Sequence, residues 1–453
     1  MYWLCAAVLC CLPSPRTGLP SSTGNPCTKE HGIVLPSLAI EVWERVLDHL
    51  WYDQETLKAC TLVCRAWYPR ARFHLLRTVI LRERHHVYRL AKLVQKDKDM
   101  VMGAFYAHAV RGVILQGGST PEVRIPVPHL ATFATALAGK LLALDEVALC
   151  NAEWISDSSF VNTSLHLSTF HSVTRLVLQA VTFPNIHTFR RLICAFPRLG
   201  YLECWGVKFT NPGIAEAAPR YPWIHSSLSR LYLNTTSMGT ITDLLLATGI
   251  ASRLHTIILG YWEFIPIQHA HILGIQRLLD SAEDNLRSLD AAFTCPQSPV
   301  GKGTGVSEYL GPPLTLARCT NLVALVVRTE PIDSADYGWI YHLLASISST
   351  SLRQMTIVIK LSVKLKQSLV SVRPMFQTML VETLDELLAT EQFAGVECVE
   401  FKLRVYKAFD KIPSVGLWEK IVLGGFPRSR RRILCEFISH PLTIVLVAHA
   451  QFH

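Results

Sequence analysis

An apolar run over residues 3–12 gives way to a stretch rich in Pro, Ser, Thr and Gly over 13–34, where hydrophobic and polar positions follow no period. Residues 1–34 are therefore expected to be a flexible leader. A helical period sets in at Leu35. Ile40, Trp43, Val46, Leu47 and Leu50 recur at steps of three and four and share one stripe, and Pro36 can open that helix because its missing N–H costs nothing in the first turn. Asp53 is placed to cap a second helix whose Leu57, Cys60, Cys64 and Trp67 fall on one face, Pro69 is expected to break it, and a third helical stretch follows over 71–76. Three helices in so few residues cannot cover all these apolar faces among themselves, so they need the rest of the chain or a partner.

Beyond them the pattern changes to two alternating apolar residues with a large apolar one seven positions after the first. It recurs as Val147/Leu149/Trp154, Leu176/Leu178/Phe183, Leu202/Cys204/Phe209, Leu231/Leu233/Met238, Ile257/Leu259/Phe264 and Leu325/Val327/Ile332. From Val147 to Ile257 the first members are spaced by 29, 26, 29 and 26 residues. Weaker copies stand at Val113/Leu115, Leu289/Ala291, Met355/Ile357 and Val399/Phe401. Alternation predicts strands, and helical stripes lie between them. The clearest covers 185–196, where Ile186, Phe189, Ile193 and Phe196 align, Asn185 can cap and Pro197 can stop the helix. A single strand–helix unit cannot bury its own apolar side, so stacked units in an α/β solenoid over 77–427 are expected.

This spacing resembles leucine-rich repeats. It departs in one feature: where that family places Asn or Cys to satisfy backbone groups in the turn, this chain has Val181, Val207, Thr236 and Trp262. Residues alternating with the buried strand positions, among them Arg175, Glu203, Trp205, Arg230, Tyr232 and Thr256, would face outward and are the candidates for holding a protein partner.

The segment 35–76 resembles an F-box. The likeness rests on Leu35-Pro36, Ile40, Val46 and Leu50, then Leu57, Leu62 and Val63, and the closing Cys64-Arg65-Ala66-Trp67. An F-box followed by degenerate leucine-rich repeats is similar in layout to the large F-box families of mushroom-forming fungi. The resemblance implies that Leu35, Pro36, Ile40, Trp43, Val46, Leu50, Leu57, Cys60, Val63, Cys64 and Trp67 dock on the small adaptor subunit of a cullin-RING (SCF-type) ubiquitin ligase and are buried only in that complex. The remaining chain would then recruit a protein substrate, whose identity the sequence does not carry.

Composition narrows the alternatives. Of 453 residues 50% are hydrophobic and 17% charged, far from a disordered chain, and a net charge of +9 is modest for 50.7 kDa, so no nucleic-acid partner is expected. Thirteen cysteines without paired CxxC motifs read as reduced thiols packed as small hydrophobes, as with Cys60, Cys64, Cys194 and Cys204, which suits a cytoplasmic or nuclear compartment. The rival reading is a secreted ligand-binding repeat protein. It draws on the apolar run at 3–12 and on sequons at Asn162 and Asn234, but no basic residue precedes that run. No membrane span is expected, because Glu436, His440 and Pro441 interrupt the apolar stretch 433–450; residues 428–453 are set apart as an atypical tail.

Candidate chemistry is sparse. Gly301-Lys302-Gly303-Thr304-Gly305 lacks the strand–helix setting and spacing of a phosphate-binding loop. His269 and His271 bring no further ligands with them, and the adjacent His85 and His86 are expected to point apart on a helix. Arg428, Arg430, Arg431 and Arg432 form a basic cluster that reads as solvated surface. Neither a cofactor nor a metal is expected, and the chain is read as non-catalytic.

Overall fold

The computed structural model describes residues 39–96, 106–154, 160–211, 227–260, 269–292, 314–329, 338–361, 381–406, 422–423, 426, 428 and 433–440. Leu35, Pro36, Phe264, Ile332, Trp262 and the glycine cluster 301–305 lie outside them.

Three helices open the described chain: α1 (Ile40–His49), α2 (Gln54–Val63) and α3 (Trp67–Leu75). Asp53 caps α2, its carboxylate accepting from the Thr56 amide at 3.0 Å and from the Thr56 hydroxyl at 2.7 Å. The expected boundary between α2 and α3 moves. Cys64 is already extended (φ −158°, ψ 164°), so α2 stops before it, and Trp67 begins α3 instead of closing α2. Pro69 sits in the first turn of α3, where no intrahelical acceptor awaits its nitrogen, and so it starts a helix where the sequence suggested it ends one.

Leu47, Leu57, Cys60, Ala71 and Leu75 form a small core of their own, with Leu50 and Trp67 against it, and the Trp43 and Trp67 rings meet at 4.9 Å. Asp48 ties α1 to α3: Arg70 Nε and Nη2 donate to its two oxygens at 2.5 and 2.6 Å, and His74 Nε2 lies 2.8 Å from Oδ1. The Arg70 hydrogen bonds hold the Asp48 carboxyl down at about 2. A depressed folded-state pKa means stability that is present above the ordinary carboxylate range and is lost as pH falls towards 2. The pair is about a third exposed, so solvent screening leaves roughly 1 kcal/mol of that contribution. The Asp48→Asn variant is expected to be less stable by that amount at neutral pH and to equal the parent near pH 2, read as urea midpoints of the helical signal.

The second body is one parallel sheet. Its strands are β1 (Thr78–Leu81), β2 (Gly112–Gln116), β3 (Ile125–Pro126), β4 (Glu146–Glu153), β5 (Arg175–Phe183), β6 (Tyr201–Trp205), β7 (Lys208–Phe209), β8 (Arg230–Asn234), β9 (Thr256–Leu259), β10 (Ser288–Ala292), β11 (Ala324–Thr329), β12 (Gln354–Leu361), β13 (Cys398–Tyr406) and β14 (Ile433–His440). Apart from β3 and β7, which pair with β4 and β5, each strand lies beside its sequence neighbour in unbroken order. Parallel neighbours need a crossover, and helices such as Arg84–Lys96, His129–Leu137, Ile186–Cys194 and Met238–Ala247 supply it. This is the strand–helix solenoid of leucine-rich-repeat type.

The register accounts for the spacing. Val113, Val147, Leu176, Leu202, Leu231, Ile257, Leu289, Leu325, Met355 and Val399 all lie in one row across the sheet, and their partners two residues on lie in a second. Strong and weak copies of the pattern thus hold the same place, and both rows are buried against the helices. Two strands of the main order escaped the pattern. Val79 and Leu81 of β1 extend the rows at one end, and β14 at the other comes from the segment set apart as a tail, pairing with β13 from Val399↔Ile433 onward.

In the turns, Val181 and Val207 pack into the core where the family would place a polar side chain. Backbone groups there are met differently: buried Thr235 donates its hydroxyl to the Val207 carbonyl, and the buried Asn151 amide donates to the Gly118 carbonyl at 3.1 Å. The third apolar position builds an aromatic column in which Phe183 contacts Trp154 at 5.4 Å, Phe189 at 5.5 Å and Phe209 at 6.1 Å. Asn185 accepts from the Thr188 amide at 2.9 Å and so fixes the start of the helix that carries Phe189.

Candidate functional site

Two surfaces combine residues that the sequence singles out. The first is on the three helices. Ile40 and Val46 on α1, Val63 at the end of α2 and Cys64 beyond it are exposed, whereas Trp43, Leu50 and Trp67 are half-buried. Leu57 and Cys60 are not docking positions in waiting; they are the centre of the module's own core, because their face of α2 closes onto α3. Leu62 is the most exposed large apolar side chain among the described residues, at 87%, and Val42, Trp51, Tyr52 and Tyr68 are open as well. Burying the Leu57/Cys60 face leaves the opposite face of α2 to solvent, which is why Leu62 stands out.

The second surface is the sheet face away from the helices. Register brings Arg175, Tyr201, Arg230, Thr256 and Ser288 into one row, and Glu203, Tyr232 and Asp290 into the parallel row two residues on. All six residues expected to line this face therefore fall on four neighbouring strands, β5, β6, β8 and β9. Their exposure differs from expectation in one case: Tyr232 is only 6% exposed, while Arg230 is open and Arg175, Glu203, Trp205 and Thr256 are half-buried.

Arg175 organises one end. Its Nη1 is 3.4 Å from Glu146, its Nη2 3.1 Å from Glu203, and its guanidinium stacks on the Tyr201 ring at 4.7 Å. Tyr201 donates to Glu203 at 3.2 Å. Burial pushes the Glu146 carboxyl above its ordinary range, and Arg175 offsets part of that. Burial opposes the Arg175 charge in turn, but Glu146, Tyr201 and Glu203 overcome it and raise its pKa. Such a cluster is built to stay charged and fixed, which suits recognition rather than proton transfer. Tyr201 and Glu146 had the same signal as Arg175, each standing just before the first buried residue of its strand. Further along, Arg328 grips Asp290 with two 2.6 Å hydrogen bonds.

Other candidates give less. The His85 and His86 rings do not point apart but lie 4.0 Å from each other, and among the described residues no group of three or more His, Cys, Asp or Glu side chains is placed to hold a metal. Cys60 and Cys204 are buried; Cys64 and Cys194 are exposed. Asn234, one of the two sequon asparagines, is 1% exposed within β8, so the folded chain does not present it for glycosylation. Among the described residues no helix is long and apolar enough to cross a membrane.

No sequence profile of a known family matches the chain, and no curated protein matches it. Solved structures do. A chain of the yeast Rad7 and Elc1 complex aligns with 88% of this chain and 92% of its own length at 11% identity and a TM-score of 0.36. A protein of Bacteroides fragilis aligns over 78% and 82% at 11% identity and a TM-score of 0.32. Likenesses this distant pass on neither activity nor partners.

Proposed function

We propose that the chain is a non-catalytic recruiting subunit of an SCF-type cullin-RING ubiquitin ligase, working in the cytoplasm or nucleus. In this reading the three-helix module docks on the cullin adaptor subunit as an F-box, and the open sheet face holds a protein substrate. The mechanism is proximity: tethering raises the effective concentration of the substrate's lysines beside a charged conjugating enzyme, and the bond-making groups belong to other subunits. The observation that carries the reading is the apolar surface that α1 and α2 leave open, with Leu62 at its most exposed point. Apolar side chains clustered on so small a module favour a protein partner over permanent contact with water.

Capture of the full chain by the cullin adaptor subunit tests it. The Leu62→Asp, Val63→Asp variant changes exposed residues only, so its thermal melting should match that of the parent, while adaptor capture should fall by about tenfold or more. A folded parent that captures no adaptor, or a variant that captures it equally well, overturns the assignment.

A further inference from the structure

We infer that the open sheet face takes a carboxylate-bearing segment of its partner protein, seated on Arg230. This rests on the reading of that face as the substrate-holding surface and adds the chemistry that it selects.

The argument is one of charge pairing. Among the described side chains of the outward rows the carboxylates are already held: Glu146 and Glu203 by Arg175, Asp290 by Arg328 and Glu400 by Lys402, the last at 2.9 Å. Among the described side chains of these rows, none is left to greet a basic partner. Arg230 is different, since it is exposed and its guanidinium has no hydrogen-bond or ion-pair partner among the described residues. Its row continues through Thr256 and Ser288, half-buried hydroxyl side chains that likewise lack partners, so the row from Arg230 onward offers donors and no carboxylate. Tyr201 flanks Arg230 on the neighbouring strand, and half-buried Trp205 stands in an outward position beyond. Arginine among tyrosine and tryptophan is the composition that dominates binding energy in protein interfaces.

One free cation among the described side chains of the outward rows of β5 to β11 matches one carboxylate. A phosphorylated side chain carries close to two negative charges and is met by clusters of arginines; among the described side chains of β5 to β11 no such cluster faces outward, because Arg175 and Arg328 are already engaged.

The test is selection of a displayed random-peptide library on the immobilised full chain. Selected peptides are expected to be enriched in Asp and Glu relative to the starting library and to bind the Arg230→Glu variant about tenfold more weakly, with a smaller loss for Thr256→Ala. Phosphoserine placed at the acidic position should not bind more tightly than Glu. Selection without acidic enrichment, equal binding to Arg230→Glu, a preference for phosphoserine, or no selected peptide at all overturns the inference. Thermal melting of both variants verifies the fold. Because selection needs no cullin adaptor, failed adaptor capture with Arg230-dependent peptide binding would remove the ligase reading and leave this one standing.

Discussion

Replacing Phe183 by alanine is expected to destabilise the solenoid by about 3–5 kcal/mol, the range for deleting a fully buried aromatic side chain. Phe183 ends β5 with no exposed surface and touches rings from three directions: Trp154 after β4, Phe189 on the following helix and Phe209 of β7. Those contacts join neighbouring units. A stacked array is held by unit-to-unit interfaces, so a cavity here weakens the coupling on both sides instead of at one. Urea unfolding should show the loss as a lower midpoint, and a broadened or split transition would locate the break near β4–β6. Phe183→Leu, which retains most of the volume, should cost less than half as much. A loss for Phe183→Ala below about 1 kcal/mol would mean that the column repacks and is not what couples these units.

Asp290→Ala should be nearly as damaging, at about 3 kcal/mol, for an electrostatic reason. Asp290 and Arg328 are each only 15% exposed and joined by two short hydrogen bonds across β10 and β11. Removing the carboxylate leaves a guanidinium largely shut off from water with its main partner gone, which costs more than the intact pair contributes. The double variant Asp290→Leu, Arg328→Met removes both charges and should recover most of the loss. Equal stability of the single and double variants in urea would show that solvent reaches Arg328 and that the burial argument fails.

The two surfaces were unequally legible. The outward positions of β5 to β9 could be read by counting from the buried leucines, because alternation is strict in a strand and the register here is unbroken. Asp290 and Arg328 obeyed the same count, Asp290 lying between Leu289 and Ala291 and Arg328 following Val327, yet pairing them needs the register between β10 and β11 across a gap of more than thirty residues. On the helical module, a stripe at steps of three and four marks apolar faces without saying which one closes inward. Leu57, Cys60, Leu62 and Val63 read alike in sequence, and the packing of α2 on α3 sends the first two inside and the last two out.

Local chemistry is therefore what the amino-acid order settled unaided: the caps at Asp53 and Asn185, the alternation of the strands, and the repeat that puts ten pairs of apolar residues into two rows. These follow from forces acting over a few residues, where periodicity and hydrogen-bonding capacity suffice. Three-dimensional packing settled the rest. It recruited β14 from a segment that looked like a tail, buried Tyr232 on a nominally open face, set Pro69 at the head of α3, and gathered Glu146, Arg175, Tyr201 and Glu203 into one cluster. Each of these depends on which distant segment lies alongside, and the free energy that selects the neighbour is shared over the whole interface instead of residing in any short stretch of sequence.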